Sequence, residues 1–268
     1  MQQSNVVEMD PTKVVGYSGE GISLEGKVSA EEWTLRCELA TLYRAAALMK
    51  WDDLIFTHFT LRIPGPERHF LINPFGYLFE EVTPSNLVKV DHEGNKVDDS
   101  PYPVNPAGFA IHAAVHLGRE DAHCVMHLHT DDGSGVSAQD EGLLPLTQQS
   151  MIVCNDLAYY EYGGPGQTGD EGLEIAKAMG NHNFGILRSH GTLAIGQTCG
   201  DTFMRMYFLE RACSMQIRAQ AGGKVRKPNQ GVPELMADSL RSFDGALGRL
   251  AWPAIKRRVA RAWPDYLQ

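Results

Sequence analysis

The chain of 268 residues lacks any stretch approaching the roughly 18 consecutive apolar residues that a membrane-spanning helix needs. Its amino terminus, MQQSNVVEMDPTK, has no basic run followed by an apolar one, so no export signal is expected. C-x-x-C pairs are missing too. The five cysteines, Cys37, Cys124, Cys154, Cys199 and Cys213, are odd in number and widely spaced, which speaks against a disulfide framework and fits a reducing cytoplasm. Excess positive charge is also absent: 24 Lys and Arg against 33 Asp and Glu give a formal net charge of -9, a repulsive field for a nucleic-acid backbone. The expectation is a cytoplasmic protein with neither a membrane nor a nucleic-acid partner. What is present is 43% hydrophobic residues, enough to bury one large core.

Residues 1–28 mix Gly, Ser, Pro and charge without a lasting period and read as a mobile lead-in. Residues 29–222 read as one domain, and 223–268 as a tail that packs on that domain or on a neighbouring subunit. Ser29 with Glu32 predicts a capping box ahead of a helix that ends near Lys50. Strands are expected over Ile55–Ile63, His69–Ile72 and Asn86–Val90, then a helix over Phe109–Leu117 and a strand over His123–His129. LLPL and MIVC read as short strands, GDEGLEIAKAMG as a helix, and FGILR and TLAI as strands broken at Ser189-His190-Gly191. A long helix follows Gly200, carrying Phe203, Met206, Leu209 and Ala212 toward Ala219. The tail holds prolines and a basic cluster, Lys256, Arg257, Arg258 and Arg261, with too few periodic apolar residues for a core of its own.

In a strand, residues i and i+2 share a face, so His127-Leu128-His129 offers two imidazoles side by side. Such a triplet is a ready pair of metal ligands, although two histidines at a strand end can equally just meet solvent. A catalytic zinc-type site commonly takes three protein ligands and keeps a position open. His190 is the best third ligand, because it ends an apolar strand and precedes Gly191, whose backbone permits a sharp turn. His112 and His116, an i, i+4 pair on one helix face, compete as ligands, though such a pair more often packs on a neighbouring strand. His58, His69, His92, His123 and His182 lie singly and need no function.

The runs INPFGYLFEEVTPSNLVKVDHEGN, VNPAGFAIHAAVH, CVMHLHT, GLLPL, AYYEYGG, ILRSHGTLAIG and FMRMYFLERAC resemble, in order and spacing, the class II aldolase and adducin head-domain family over about residues 30–220. The resemblance implies an α/β fold, a three-layer α/β/α domain around a mostly antiparallel sheet. It also places the family's metal triad on His127, His129 and His190. The implied cofactor is one divalent metal ion per subunit, zinc first, with manganese or iron as alternatives. A homotetramer with sites between subunits is implied as well.

Departures from the pattern shape the functional reading. The glutamate that binds metal and moves protons in the family's sugar-phosphate aldolases falls on Gly108. Their phosphate-binding asparagine falls on His58 and their paired serines on Pro106 and Ala107, while the loop glycine is kept at Gly76. VNPAGF resembles the adducin-like branch and its bacterial relatives instead. The expected activity is a metal-dependent lyase, cleaving or decarboxylating a small unphosphorylated hydroxy-oxo or oxo-carboxylate compound through an enediolate. His112 is the candidate acid or base. His58, Gly76 and Gln149 are substrate-binding candidates, with Gln149 near a family tyrosine whose proton it cannot supply. The alternative is an adducin-like interaction module that keeps the fold without catalysis. Restoring glutamate at 108 is expected to raise metal affinity or add aldol-type activity.

Overall fold

A computed structural model describes residues 23–161, 163, 171–241 and 245–268. Most of the expected lead-in, residues 1–22, and the first residues of the GDEGLEIAKAMG segment lie outside the described residues. Ser29 starts helix α1 (Ala30–Met49), its hydroxyl accepting from the Glu32 amide. The expected capping box is only half formed. Glu32 turns its carboxylate to Arg36 at 2.8 Å and Lys89 at 2.9 Å, where two cations outweigh one backbone amide. Lys50, at φ 59, ends the helix in the left-handed region.

Among the described residues seven strands follow: β1 (His58–Arg62), β2 (Phe70–Ile72), β3 (Val88–Val90), β4 (Cys124–Leu128), β5 (Leu157–Tyr160), β6 (Phe184–Leu187) and β7 (Gly191–Gly196). They form one sheet in the order β3-β2-β1-β4-β7-β6-β5. Only β5 and β6 run parallel; every other neighbouring pair is antiparallel. The remaining helices are α2 (Pro106–Gly118), α3 (Asp131–Ser137), α4 (Gln148–Val153), α5 (Glu171–Met179), α6 (Cys199–Ala221), α7 (Val232–Arg241) and α8 (Ala246–Ala262).

Strand alternation sorts the side chains into three layers. Phe59, Leu61, Cys124, Met126 and Leu128 bury against Leu39 and Tyr43 of α1 and Phe203, Met206 and Leu209 of α6. The opposite face carries Val125, Leu193 and Ile195 against Val115 of α2 and Ile175 and Met179 of α5. His58, Thr60 and His127 fall on this second, α2-facing side. The architecture is therefore the expected α/β sandwich of helices about a mixed, mostly antiparallel sheet.

Three expected elements differ. Met151–Cys154 is helical, because Thr147 and Ser150 cap one another and start α4. LLPL is irregular, with Leu144 held by Gln216 of α6 in place of a strand partner. Leu157–Tyr160, unassigned from the sequence, pairs with β6 as the edge strand. The tail forms α7 and α8. Trp252 donates its indole N–H to Glu38, Tyr266 shares a hydrogen bond of 2.8 Å with Thr41, and Arg44 lies 5.2 Å over Trp263. Within this chain α8 thus covers α1 and α6. Among the described residues no helix is long and apolar enough to cross a membrane.

Candidate metal centre

His127 is the penultimate residue of β4 and lies opposite His58 across the β1–β4 ladder. His129 stands one residue beyond the strand, and His190 sits in the tight turn between β6 and β7. That turn is made differently from the sequence expectation. Ser189 takes the left-handed conformation at φ 53, while Gly191 is needed for close approach, since an added Cβ would stand 2.2 Å from the Leu128 carbonyl oxygen. The Ser134 hydroxyl donates to the His190 carbonyl at 3.0 Å and pins the turn to α3.

These placements bring three Nε2 atoms together. His129 Nε2 is 2.9 Å from both His127 Nε2 and His190 Nε2, and His127 Nε2 is 3.3 Å from His190 Nε2. The far sides of two rings fix where their hydrogens lie. His127 Nδ1 meets the Thr192 carbonyl at 2.9 Å, and a carbonyl only accepts, so the hydrogen is on Nδ1. His129 Nδ1 meets the Asp53 carboxylate at 3.1 Å with the same consequence. Both rings therefore direct an Nε2 lone pair at the common centre. Burial, and then the neighbouring His129 and His190, push the His127 pKa well below the ordinary value; burial and His129 take His190 down to about 4. Converging lone pairs repel unless a cation lies between them. Nitrogens bound at about 2.0–2.1 Å to a tetrahedral ion are about 3.3 Å apart, close to the separations seen here. The donor set fits a divalent ion held by His127, His129 and His190.

A second tier of polar groups lies behind the triad. The His58 ring is 5.8 Å from that of His127 and 4.2 Å from that of His112. Thr60 Oγ1 bonds His112 Nδ1 at 2.8 Å and His116 Nε2 at 2.7 Å, and His116 Nδ1 bonds the Ala122 carbonyl at 2.6 Å. The His112 and His116 pair thus packs on a strand. His112 is fully buried, and His58 stands between it and the triad. His58 also bears on the expected gain from glutamate at 108. A Cβ on Gly108 would stand 2.7 Å from His58 Cε1, so the ring already fills that place.

Gly76 lies at φ 92 in the turn after β2, and Gln149 is half-buried in the first turn of α4. Among the described residues no hydrogen bond joins either to the triad. Two neighbours of the triad escaped the sequence reading. Asp53 lies in a turn whose shape depends on left-handed backbone at Leu54 and Thr57, a feature with no sequence signature in non-glycine residues. Glu210 of α6 is buried and accepts from the hydroxyls of Thr192, at 2.6 Å, and Thr130; burial raises its pKa to about 6. The clue to it is a carboxylate on the apolar face of an otherwise periodic helix.

Fold and site together define an α/β protein of the class II aldolase type, with a three-histidine cluster at the end of its central strands. The chain belongs to the family of the class II aldolase and adducin N-terminal domain, which matches residues 37–217. A protein assigned to aldolase class 2 from Caulobacter vibrioides is 51% identical over 91% of this chain and 96% of its own length. Alpha-adducin of Mus musculus is 42% identical over 72% of this chain, but that match spans 27% of the adducin. The crystal structure of an aldolase II superfamily protein from Pseudomonas syringae superposes with a TM-score of 0.88 at 40% identity, covering 91% of this chain and 99% of that one.

Proposed function

We propose that the protein is a metal-dependent lyase acting by aldol-type C–C cleavage or decarboxylation on a small, unphosphorylated hydroxy-oxo or oxo-carboxylate compound. The observation that carries this reading is the convergence of three Nε2 atoms within 3.3 Å of one another. His127, His129 and His190 would hold one divalent ion, zinc before manganese or iron, since a three-imidazole set with an open face suits catalytic zinc. Such an ion supplies Lewis-acid polarisation of the substrate oxygens and stabilises the negative charge left by bond cleavage.

The chain's own residues do the rest. Thr192 and Asp53 hold two of the rings in the ligating tautomer. His58, the nearer of the two second-tier histidines, contacts the substrate and takes part in its proton transfer. His112 acts through His58. Gly76 and Gln149 remain candidates for orienting substrate. The described surface carries no helix suited to a membrane, and we read the protein as a cytoplasmic homotetramer. Metal analysis of purified protein, together with turnover of hydroxy-oxo and oxo-carboxylate compounds, is the test. One metal per chain with turnover is expected; protein that purifies and reconstitutes without metal would sink the reading.

A second reading draws on the 42% identity to alpha-adducin: an interaction module that keeps the fold without catalysis. Stoichiometric metal without turnover of any such compound would favour it.

A further inference from the structure

Glu210 lies on the face of α6 that packs against the sheet, only 4% exposed, where a carboxylate costs the fold stability unless something compensates its charge. Its hydrogen-bond partners among the described residues are two hydroxyls, and no lysine or arginine among them stands at ion-pair distance. Thr192 donates to Oε1 at 2.6 Å and Thr130 to Oε2. The Gly133 amide can only donate and meets the Thr130 oxygen at 3.0 Å, so the single hydrogen of that hydroxyl is left for Glu210. Both carboxylate oxygens thus accept, an arrangement that suits the anion.

The two hydroxyls lead to all three histidines of the triad. Thr130 follows His129 in the chain and caps α3. The helix it caps carries Ser134, whose hydroxyl donates to the His190 carbonyl at 3.0 Å. Thr192 stands two residues beyond His190; its side chain meets Glu210 while its carbonyl accepts from His127 Nδ1 at 2.9 Å. Gly133 lets the first turn of α3 close on these groups, since an added Cβ would stand 2.7 Å from Thr130 Oγ1, 3.0 Å from Thr192 Cγ2 and 3.1 Å from Glu210 Oε1. One carboxylate on α6 therefore ties together the exit of β4, the start of β7 and the first turn of α3.

We propose that Glu210 is a positioning residue of the metal centre: its carboxylate holds the threonines that set His127, His129 and His190, and supplies buried negative charge to a divalent ion held there. Imidazole ligands bring no negative charge of their own, so the charge of such an ion is met by the groups behind them. Asp53 is one of these, on the half-exposed side of His129. Glu210 is the buried one. A carboxylate that burdens the metal-free fold has its compensation in the ion it favours. The inference rests on the metal-centre reading, and it separates from a packing role because a residue that serves packing alone would lose fold stability and metal together.

Zinc affinity of the full chain is measured at mildly alkaline pH by competition with a chromophoric chelator, and stability of the metal-free chain by urea unfolding in the same buffer. Glu210→Gln keeps the shape of the side chain and removes its charge. It is expected to bind zinc about 10- to 100-fold more weakly than wild type, while its metal-free form unfolds at no lower urea concentration. Thr192→Val removes the hydroxyl and leaves the carbonyl that meets His127. It should weaken zinc by a smaller factor, and should add little on top of Glu210→Gln, because both act through one contact. The visible bands of cobalt bound in place of zinc should shift in both variants, since the ligand rings are held less firmly. Full zinc affinity in Glu210→Gln, a loss matched by an equal loss of metal-free stability, two factors that multiply in full, or cobalt bands identical to wild type would each overturn the role. Wild type that binds no zinc would sink the metal centre itself and this inference with it, whereas wild type and Glu210→Gln that bind zinc equally well sink this inference alone.

Discussion

Oδ2 of Asp53 stands 3.1 Å from Nδ1 of His129, at the edge of the ring away from the nitrogen that meets His127 and His190. This contact fixes a tautomer that the ring would otherwise be free to exchange. Asp53→Ala is therefore expected to weaken metal binding by about 10- to 100-fold while leaving the fold intact. Competition with a chromophoric chelator measures it. An unchanged affinity would show that the carboxylate does not hold the ring.

Each of His127, His129 and His190 is expected to be needed for the ion. Replacement by Ala, one at a time, should take metal content well below one per chain, with far-UV circular dichroism unchanged. A soluble variant that still holds a full complement of metal would remove that histidine from the site.

The pH dependence of the metal-free chain should report the second tier. His116 has its folded pKa lowered by burial to about 3, from 6.5, and His112 is pushed well below the same value. Below about pH 6.5 the unfolded chain binds protons that the folded chain refuses, so this contribution is present above 6.5 and is lost as pH falls toward 3. Each such histidine contributes a slope of about 1.4 kcal/mol per pH unit. Urea unfolding between about pH 7.5 and about pH 4.5 should thus show a shallower fall for His116→Asn than for wild type. Parallel curves would mean that His116 is charged in the folded chain.

Glu210 works with the opposite sign. Burial raises its pKa to about 6 from 4.5, so the folded chain holds a proton that the unfolded chain releases. Its contribution is fully present below 4.5 and is lost as pH rises through 6. Relative to wild type, Glu210→Gln should gain on the order of 2 kcal/mol in the metal-free chain between acid and mildly alkaline pH. A gain of the same size at every pH would rule out this titration.

The tail gives the last prediction. Trp252, Val259 and Tyr266 are buried against α1 and α6, so truncation after Gly223 bares the surface that α8 covers. Solubility or assembly should change more than metal binding by the remaining chain. Light scattering during size exclusion is the measurement, and a truncated protein with the same mass distribution as the full chain would refute it.

Patterns short in sequence were legible. The i, i+2 histidines at the exit of β4, the period of α1 and α6 and the position, though not the backbone, of the turn at Ser189–Gly191 each follow from local geometry, and order along the chain was enough to place the family. Met151–Cys154 was misread as a strand because a short apolar run carries no period of its own; the Thr147 and Ser150 cap decides it as a helix. The tail helices were unassigned because α8 gains its order by lying on α1 and α6.

The residues themselves determined that His127, His129 and His190 share one sheet end, since strand alternation and a turn put three imidazoles there whatever surrounds them. Tertiary structure alone decided what stands behind them. Asp53 reaches His129 across 76 residues of chain, Thr60 meets His116 across 56, and Glu210 reaches Thr192 of β7 from α6. The exchange at position 108 belongs to the same class. The sequence shows a missing glutamate there, but only the crossing of α2 over β1 shows that the His58 ring has taken its volume, because van der Waals exclusion acts between residues that no local pattern relates.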